Sequence, residues 1–223
     1  GLQSMRDDLT KSYVLTADVN AGNQGVKTMN RVYSGASPTY TGFYPISYYA
    51  DDGTTQESEF SGTFDGGGHT ITGLWSTDIK DNGGWGTFFG RANSSSVIKN
   101  FICDTCTFES AGAGNTGIVV GITSGQIRNV GLENPTGSCT GLWCAGIAGQ
   151  SGAIYDSYVK GGTLTSTSVY LGGIAGTNNG IVYRSYSTAT TNPFCCSGGL
   201  GNNAYNTYYN SWAAGKSNNT NYV

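Results

Sequence analysis

From Phe88 onward one pattern recurs five times, and any fold must accommodate it five times over. Each copy opens with an apolar or small pair closed by glycine: Phe88-Phe89-Gly90, Val119-Val120-Gly121, Ile147-Ala148-Gly149, Ile174-Ala175-Gly176 and Gly199-Leu200-Gly201. The closing glycines lie 31, 28, 27 and 25 residues apart. A second short run follows each: Ile98-Lys99-Asn100-Phe101, Ile127-Arg128-Asn129-Val130, Tyr155-Asp156-Ser157-Tyr158, Tyr183-Arg184-Ser185-Tyr186 and Tyr205-Asn206-Thr207-Tyr208. A period between 20 and 50 residues marks a solenoid, propeller or array.

The runs between turn residues are too short for helices. They are filled with Tyr, Thr, Val and Ile, side chains that suit a pleated, half-buried surface. The 36 glycines among 223 residues fall mostly between runs and mark frequent corners. A propeller blade takes about 40 residues and four strands, more than one unit supplies. The pattern predicts an all-β chain, a single right-handed parallel β-helix with coils about 4.8 Å apart. Equal phases should then stack. Asn100, Asn129, Ser157, Ser185 and Thr207 are expected as a polar corner column, with Phe101, Val130, Tyr158, Tyr186 and Tyr208 as an apolar column just inside.

The chain reads as one domain: a cap over residues 1–12, N-terminal coils over 13–85, five repeats over 86–211 and a tail over 212–223. Leu2, Met5 and Leu9 share a helical face and predict a short helical cap on the first coil. Tyr13 to Val19 and Tyr44 to Tyr49 read as strands, and 20–42 as a loop. Protruding loops are expected at 104–115, 132–143, 160–170 and 188–197. They would build one side, carrying Glu109, Glu133, Trp143, Thr163, Thr165, Ser168, Pro193 and Phe194.

The segment Gly173-Ile174-Ala175-Gly176-Thr177-Asn178-Asn179-Gly180-Ile181-Val182-Tyr183-Arg184-Ser185-Tyr186 resembles the GLUG repeat. Upstream, the stretch from Phe60 to Leu74, the Tyr13 to Val19 run and the Tyr44-Pro45-Ile46 step resemble segments that accompany those repeats, in the same order. The likeness runs from about Leu9 to Ser211. It implies β-helix segments of secreted and surface proteins, including adhesins and the N-terminal parts of some immunoglobulin proteases. In that family the repeats are scaffold, and no catalytic residue comes with them. The cysteines and the length of 223 residues depart from the pattern.

Charged residues make up 11% of the chain and the net charge is −3, which argues against nucleic acid as a partner. No run approaches 18 apolar residues, so no membrane-spanning helix is expected. The start at Gly1 reads as a mature, processed product. No cofactor is implied.

Cys103, Cys106, Cys139, Cys144, Cys195 and Cys196 are an even set that reads as disulfides of an oxidising compartment. A local Cys139–Cys144 bridge is the simplest pairing, a Cys106–Cys139 bridge between coils its rival, and Cys195 and Cys196 are expected to find separate partners. His69, with Asp65 nearby in sequence, reads as a corner residue rather than a catalytic one. Asp51, Asp52, Glu57 and Glu59 read as a solvated loop, without the ligand spacing calcium requires. Lys99, Arg128, Asp156, Arg184 and Asn206 form a candidate charged stripe, read as ion pairs between coils. Thr163, Thr165 and Thr167 alternate in a single coil, too little for an ice-binding face. Asn93 and Asn218 begin glycosylation sequons.

These features point to an extracellular structural protein rather than an enzyme. The expected form is a β-helical subunit of a surface fibre or stalk that self-associates end to end through Tyr205, Tyr208, Tyr209 and Trp212. A charge at Tyr208 is expected to break assembly and spare the fold. A glycan-binding module using Trp143, Tyr170 and Phe194 is the second reading, and a polysaccharide-active enzyme the third.

Overall fold

The computed structural model describes residues 1–22, 43, 45–47, 58–78, 87–110, 114–167, 170–192, 196–201 and 207–215. Among these the only helix is a 3-10 turn at Leu2–Asp7, and everything else regular is strand. Every strand pairing is parallel, and each strand pairs with its counterpart one coil earlier or later. The chain is therefore a parallel β-helix, as the repeats require.

The longest sheet path runs through Tyr13–Val14, Thr63–Thr72, Val97–Asp104, Gln126–Glu133, Ala148–Tyr155, Ala175–Tyr183 and Thr207–Tyr209. The first four glycine-closed pairs lie in phase, and the fifth is displaced by one residue, with its closing Gly201 rather than Leu200 opposite Ala175. Phe89 pairs with Val120, Val120 with Ala148, Ala148 with Ala175, and Ala175 with Gly201, while Ile46 starts the column on Phe89. At Gly149 and Gly176 a neighbouring strand's backbone is in contact. A Cβ on Gly149 would lie 2.4 Å from the amide nitrogen of Thr116, and one on Gly176 would lie 2.8 Å from that of Cys144.

A second sheet stacks Trp75–Asp78, Thr107–Ser110, Thr136–Cys139, Thr163–Ser166 and Thr190–Asn192. A third stacks Asn115–Gly117, Trp143–Ala145, Tyr170–Gly172 and Cys196–Gly198. Much of the sequence expected as loops is thus the return path of the coil itself. Its short runs alternate inward and outward side chains, as in the buried Phe108 and Ser110 beside the exposed Glu109.

The interior is one apolar column. Phe60, Phe64, Phe88 and Phe89 fill the early coils, with rings of Phe88 and Phe89 4.5 Å apart and of Phe64 and Phe88 5.0 Å apart. Ile98, Ile127, Ile154 and Val182 continue in register, and Tyr208 ends the series. At the N-terminal end Met5 of the 3-10 turn is buried, and Leu2 and Leu9 rest against the core, as the spacing of the three predicts. The Tyr13 to Val19 run is broken into Tyr13–Val14 and Val19–Asn20. Of the Tyr44 to Tyr49 run, Ile46 makes a parallel bridge and Tyr44, Tyr48 and Tyr49 lie outside the described residues.

Candidate functional site

The distinctive surface of this β-helix is a corner repeated up its side. Asn100, Asn129, Asp156, Arg184 and Asn210 all have positive φ, between 47° and 59°. This left-handed turn bends each coil between two strand segments, and Asn and Asp tolerate it better than most residues. The column differs from the sequence expectation. The short runs align on the residue that points inward, so Ile127 pairs with Ile154 and Arg128 with Tyr155. Asp156, not Ser157, is therefore the successor of Asn129. Thr207 lies in a strand, and Asn210 takes the corner of the last coil.

Two further corrections follow from that register. Phe101 and Val130 are inside, but Tyr158 pairs with Gly131, Tyr186 with Tyr158 and Trp212 with Tyr186, all pointing outward. The charged stripe is likewise split. Lys99 and Arg128 share a phase with Tyr155, Tyr183 and Tyr209, while Asp156 and Arg184 belong to the left-handed corner. Asn206 lies outside the described residues.

Inside the corner, serines replace Phe101 and Val130 in the later coils. Ser157 accepts a hydrogen bond from the Val130 amide at 3.2 Å, Ser185 from the Ser157 amide at 3.1 Å, and Ser211 from the Ser185 amide at 3.1 Å. Each hydroxyl donates to the carbonyl two residues back, at 2.7 Å for Ser157 on Tyr155. The backbone groups freed by the turn are thereby satisfied in a buried place, where an unpaired one is costly. Outside the corner, Asn129 Nδ2 donates to Asn100 Oδ1 at 3.1 Å, and Asn100 Nδ2 to Asp65 Oδ1 at 3.0 Å. Asp65 also accepts from the Gly67 amide and meets Lys99 Nζ at 3.2 Å. These contacts, the Gly67 amide foremost, hold its carboxyl below the usual range. One step on, Arg184 Nη2 donates to Asp156 Oδ2 at 2.7 Å, which lowers the Asp156 pKa.

Two aromatic columns flank the corner. In one, Arg128 lies 4.6 Å from the centre of the Tyr155 ring and Arg184 4.5 Å from that of Tyr183. In the other, Tyr158 and Tyr186 are stacked at 5.3 Å and Tyr186 and Trp212 at 4.9 Å, with planes within 8°. The stack starts on Gly131, whose missing side chain leaves room for the Tyr158 ring. Burial, reinforced by the hydrogen bond to Glu133 at 3.0 Å, pushes the Tyr158 phenol up to about 12. At the far end nothing similar occurs. Tyr209 and Trp212 are each 53% exposed, and among the described residues no strand pairs with the outer edge of Thr207–Tyr209 or Trp212–Ala213.

Of the expected assembly residues, the structure brings Tyr209 and Trp212 to this exposed end. Tyr208 instead packs on the core, and its hydroxyl reaches the space above Gly201, so a charge there would damage the fold. Tyr205, Phe194, Asn218, Asp51, Asp52 and Glu57 lie outside the described residues. Trp143 and Tyr170 are register partners on the third sheet, half-buried and stacked at 6.4 Å. His69 pairs with Asp18, not Asp65: Nδ1 lies 3.1 Å from Asp18 Oδ1, which also accepts from the Thr70 amide. Glu59 pairs with Arg91 at 2.6 Å. Asn93 sits in a turn where its Oδ1 accepts from the amide and hydroxyl of Ser95. Among the described residues no group of three or more His, Cys, Asp or Glu is placed to hold a metal ion.

Disulfides join Cys103 to Cys106 and Cys139 to Cys144, all four at most 1% exposed. Both staple a corner within one coil, and no bridge runs from Cys106 to Cys139. Cys195 lies outside the described residues, as does the side chain of Cys196. One surface escaped the sequence reading. Thr107, Thr136, Thr163 and Thr190 stand in register across four strands of the second sheet. Their spacings of 29, 27 and 27 residues do not follow those of the closing glycines, so the alignment is visible only once the register is known.

No family model matches the chain. It is 33% identical over 132 residues to halomucin of Haloquadratum walsbyi, a match covering 58% of this chain and 1% of that protein. The crystal structure of a putative immunoglobulin A1 protease from Bacteroides ovatus superposes with a TM-score of 0.60. It covers 97% of this chain and 75% of that one at 15% identity, a likeness of fold.

Proposed function

We propose that this chain is an extracellular structural segment, a β-helical unit that self-associates through its C-terminal coil into a surface fibre or stalk. One observation carries the reading. Two aromatic columns grow toward that end and finish with Tyr209 and Trp212 exposed, on strands whose outer edges have no partner among the described residues. An open edge is a template for strand addition, in which backbone bonds give affinity and side-chain columns give register. The two buried disulfides fit an oxidising, extracellular setting. We read the coils as scaffold. The Bacteroides ovatus protein is named for proteolysis, but at 15% identity it lends this chain a fold and no chemistry. The chain spans 1% of halomucin, so the role of that whole protein is not carried over.

Sedimentation velocity over a concentration series tests the proposal. The wild-type chain should form larger species as concentration rises. The Trp212→Arg variant should stay monomeric with an unchanged circular dichroism spectrum and a melting temperature lowered by only a few degrees, since its side chain is outside the core and loses one ring stack on Tyr186. A wild-type chain that remains monomeric throughout would overturn the reading.

The stacked, half-buried Trp143 and Tyr170 beside hydroxyl-bearing strands favour a second reading, glycan binding. A glycan array should then give hits that Trp143→Ala abolishes, and an array without hits excludes it.

A further inference from the structure

We infer that Asn93 is the acceptor of an N-linked glycan, presented by a corner that the β-helix widens in this coil. The inference goes beyond the self-association proposed above and does not rest on it. The sequon Asn93-Ser94-Ser95 lies between the strands Phe89–Ala92 and Val97–Asp104. Ala92 pairs with Thr123 and Val97 with Gln126. The residues from Asn93 to Ser96 therefore turn a corner that the next coil turns with Ser124 and Gly125 alone. The following two coils turn it with Gly152 and with Asn179 and Gly180. None of these tighter corners carries a hydroxyl two residues after an asparagine.

The widened turn is firmly held, and it leaves one group free. The Asn93 amide donates to the Phe60 carbonyl at 2.9 Å, and the Ser96 amide and hydroxyl donate to the Asn93 carbonyl at 3.1 Å and 2.7 Å. The next coil makes room for it: a Cβ on Gly125 would lie 2.2 Å from Ser96 Oγ. Ser94 and Ser95 are exposed. Asn93 Oδ1 accepts from the Ser95 amide at 3.0 Å and from the Ser95 hydroxyl at 2.8 Å, and that hydroxyl also lies 3.1 Å from the Ser61 carbonyl oxygen. Both donors sit on the oxygen. Nδ2 makes no hydrogen bond among the described residues and is not buried. An N-glycosylation acceptor needs an Asn with a Ser or Thr two residues on, at a surface turn. Here the two donors on Oδ1 draw electron density from the amide and ease loss of a proton from Nδ2. In the transfer, Nδ2 bonds to the anomeric carbon of a saccharide carried on a lipid phosphate or pyrophosphate. The bond from that carbon to the phosphate oxygen breaks with its electron pair, and the Nδ2 proton passes to a base of the transferase. A glycan on Asn93 keeps this corner in solvent, so lateral contacts between copies must use other faces.

Secretion of the full chain from a eukaryotic host, which supplies the donor and the transferase, tests the site. Asn218→Gln removes the other sequon and serves as the background. Mass spectrometry of the intact chain and of its peptides, before and after enzymatic release of N-glycans, should find a glycan on Asn93 and its conversion to Asp on release. The glycan should be lost completely in Asn93→Gln and in Ser95→Ala, and kept in Ser95→Thr. A folded, secreted chain with Asn93 unmodified would overturn the inference, as would a Ser95→Ala chain that still carries the glycan.

Discussion

At the scale of single residues the molecule is organised by what the left-handed corner demands. Asn100, Asn129 and Asn210 are residues that tolerate positive φ, and Asp156 and Arg184 hold the same turn while pairing with each other. Ser157 shows how the freed backbone is satisfied. Ser157→Ala would leave the amide of fully buried Val130 without an acceptor and should cost about 1–3 kcal/mol in a urea titration. The sequence marks these positions as polar but does not fix their phase. Matching residues by size sets Tyr155 against Ile127, whereas burial sets Ile154 there, so the tyrosines turn outward. Acid should expose the carboxylates. Asp18, Asp65 and Asp156 all have pKa values lowered in the fold, Asp18 chiefly by the Thr70 amide, Asp65 by the Gly67 amide and Asp156 by Arg184. A depressed carboxylate contributes stability above its unfolded pKa of about 3.9, and that contribution is lost as pH falls through the folded value. Urea midpoints should therefore be flat from about pH 7 to 5 and drop below about pH 4, with a smaller drop in Asp65→Asn. A midpoint indifferent to acid would contradict these contacts.

At the scale of elements, one sheet was legible and two were not. The strands after the glycine-closed pairs carry aliphatic and aromatic residues that stand out in the sequence. The second and third sheets are built from strands of three or four residues rich in Thr, Ser and Gly, with one or two inward side chains each. Such runs read as loops because composition at their outward positions is that of a loop, and only stacking makes them strands. The disulfides bear on these sheets, since each ties the corner leading into or out of the second one. Their bridges close very short loops, so replacing Cys103 and Cys106, or Cys139 and Cys144, by alanine pairs should each remove about 2 kcal/mol from the chain-entropy effect. The loss should appear as a lower urea midpoint with the β-sheet spectrum retained. A variant that fails to fold would mean the staples set the coil register rather than steady it.

At the scale of the whole molecule, the first and last described coils differ in what covers them. Among the described residues Met5 is buried against the first coil, whereas in the last one Tyr208 packs on the core and Tyr209 and Trp212 face outward. Aromatic enrichment in the last coil was legible in the sequence. Which of its rings face solvent was not, because that depends on the Val182–Tyr208 register. The Tyr158–Tyr186–Trp212 stack gains about 0.5–1.5 kcal/mol per ring pair, and a further ring on Trp212 would gain as much again. The most direct test is amide hydrogen exchange of the wild-type chain at low and high protein concentration. If the C-terminal coil is the joint, amides in Thr207–Ala213 exchange quickly when dilute and become protected when concentrated, while Val97–Asp104 in the middle is unchanged. Equal exchange of Thr207–Ala213 at both concentrations, with larger species present, would place the contact elsewhere and contradict the account.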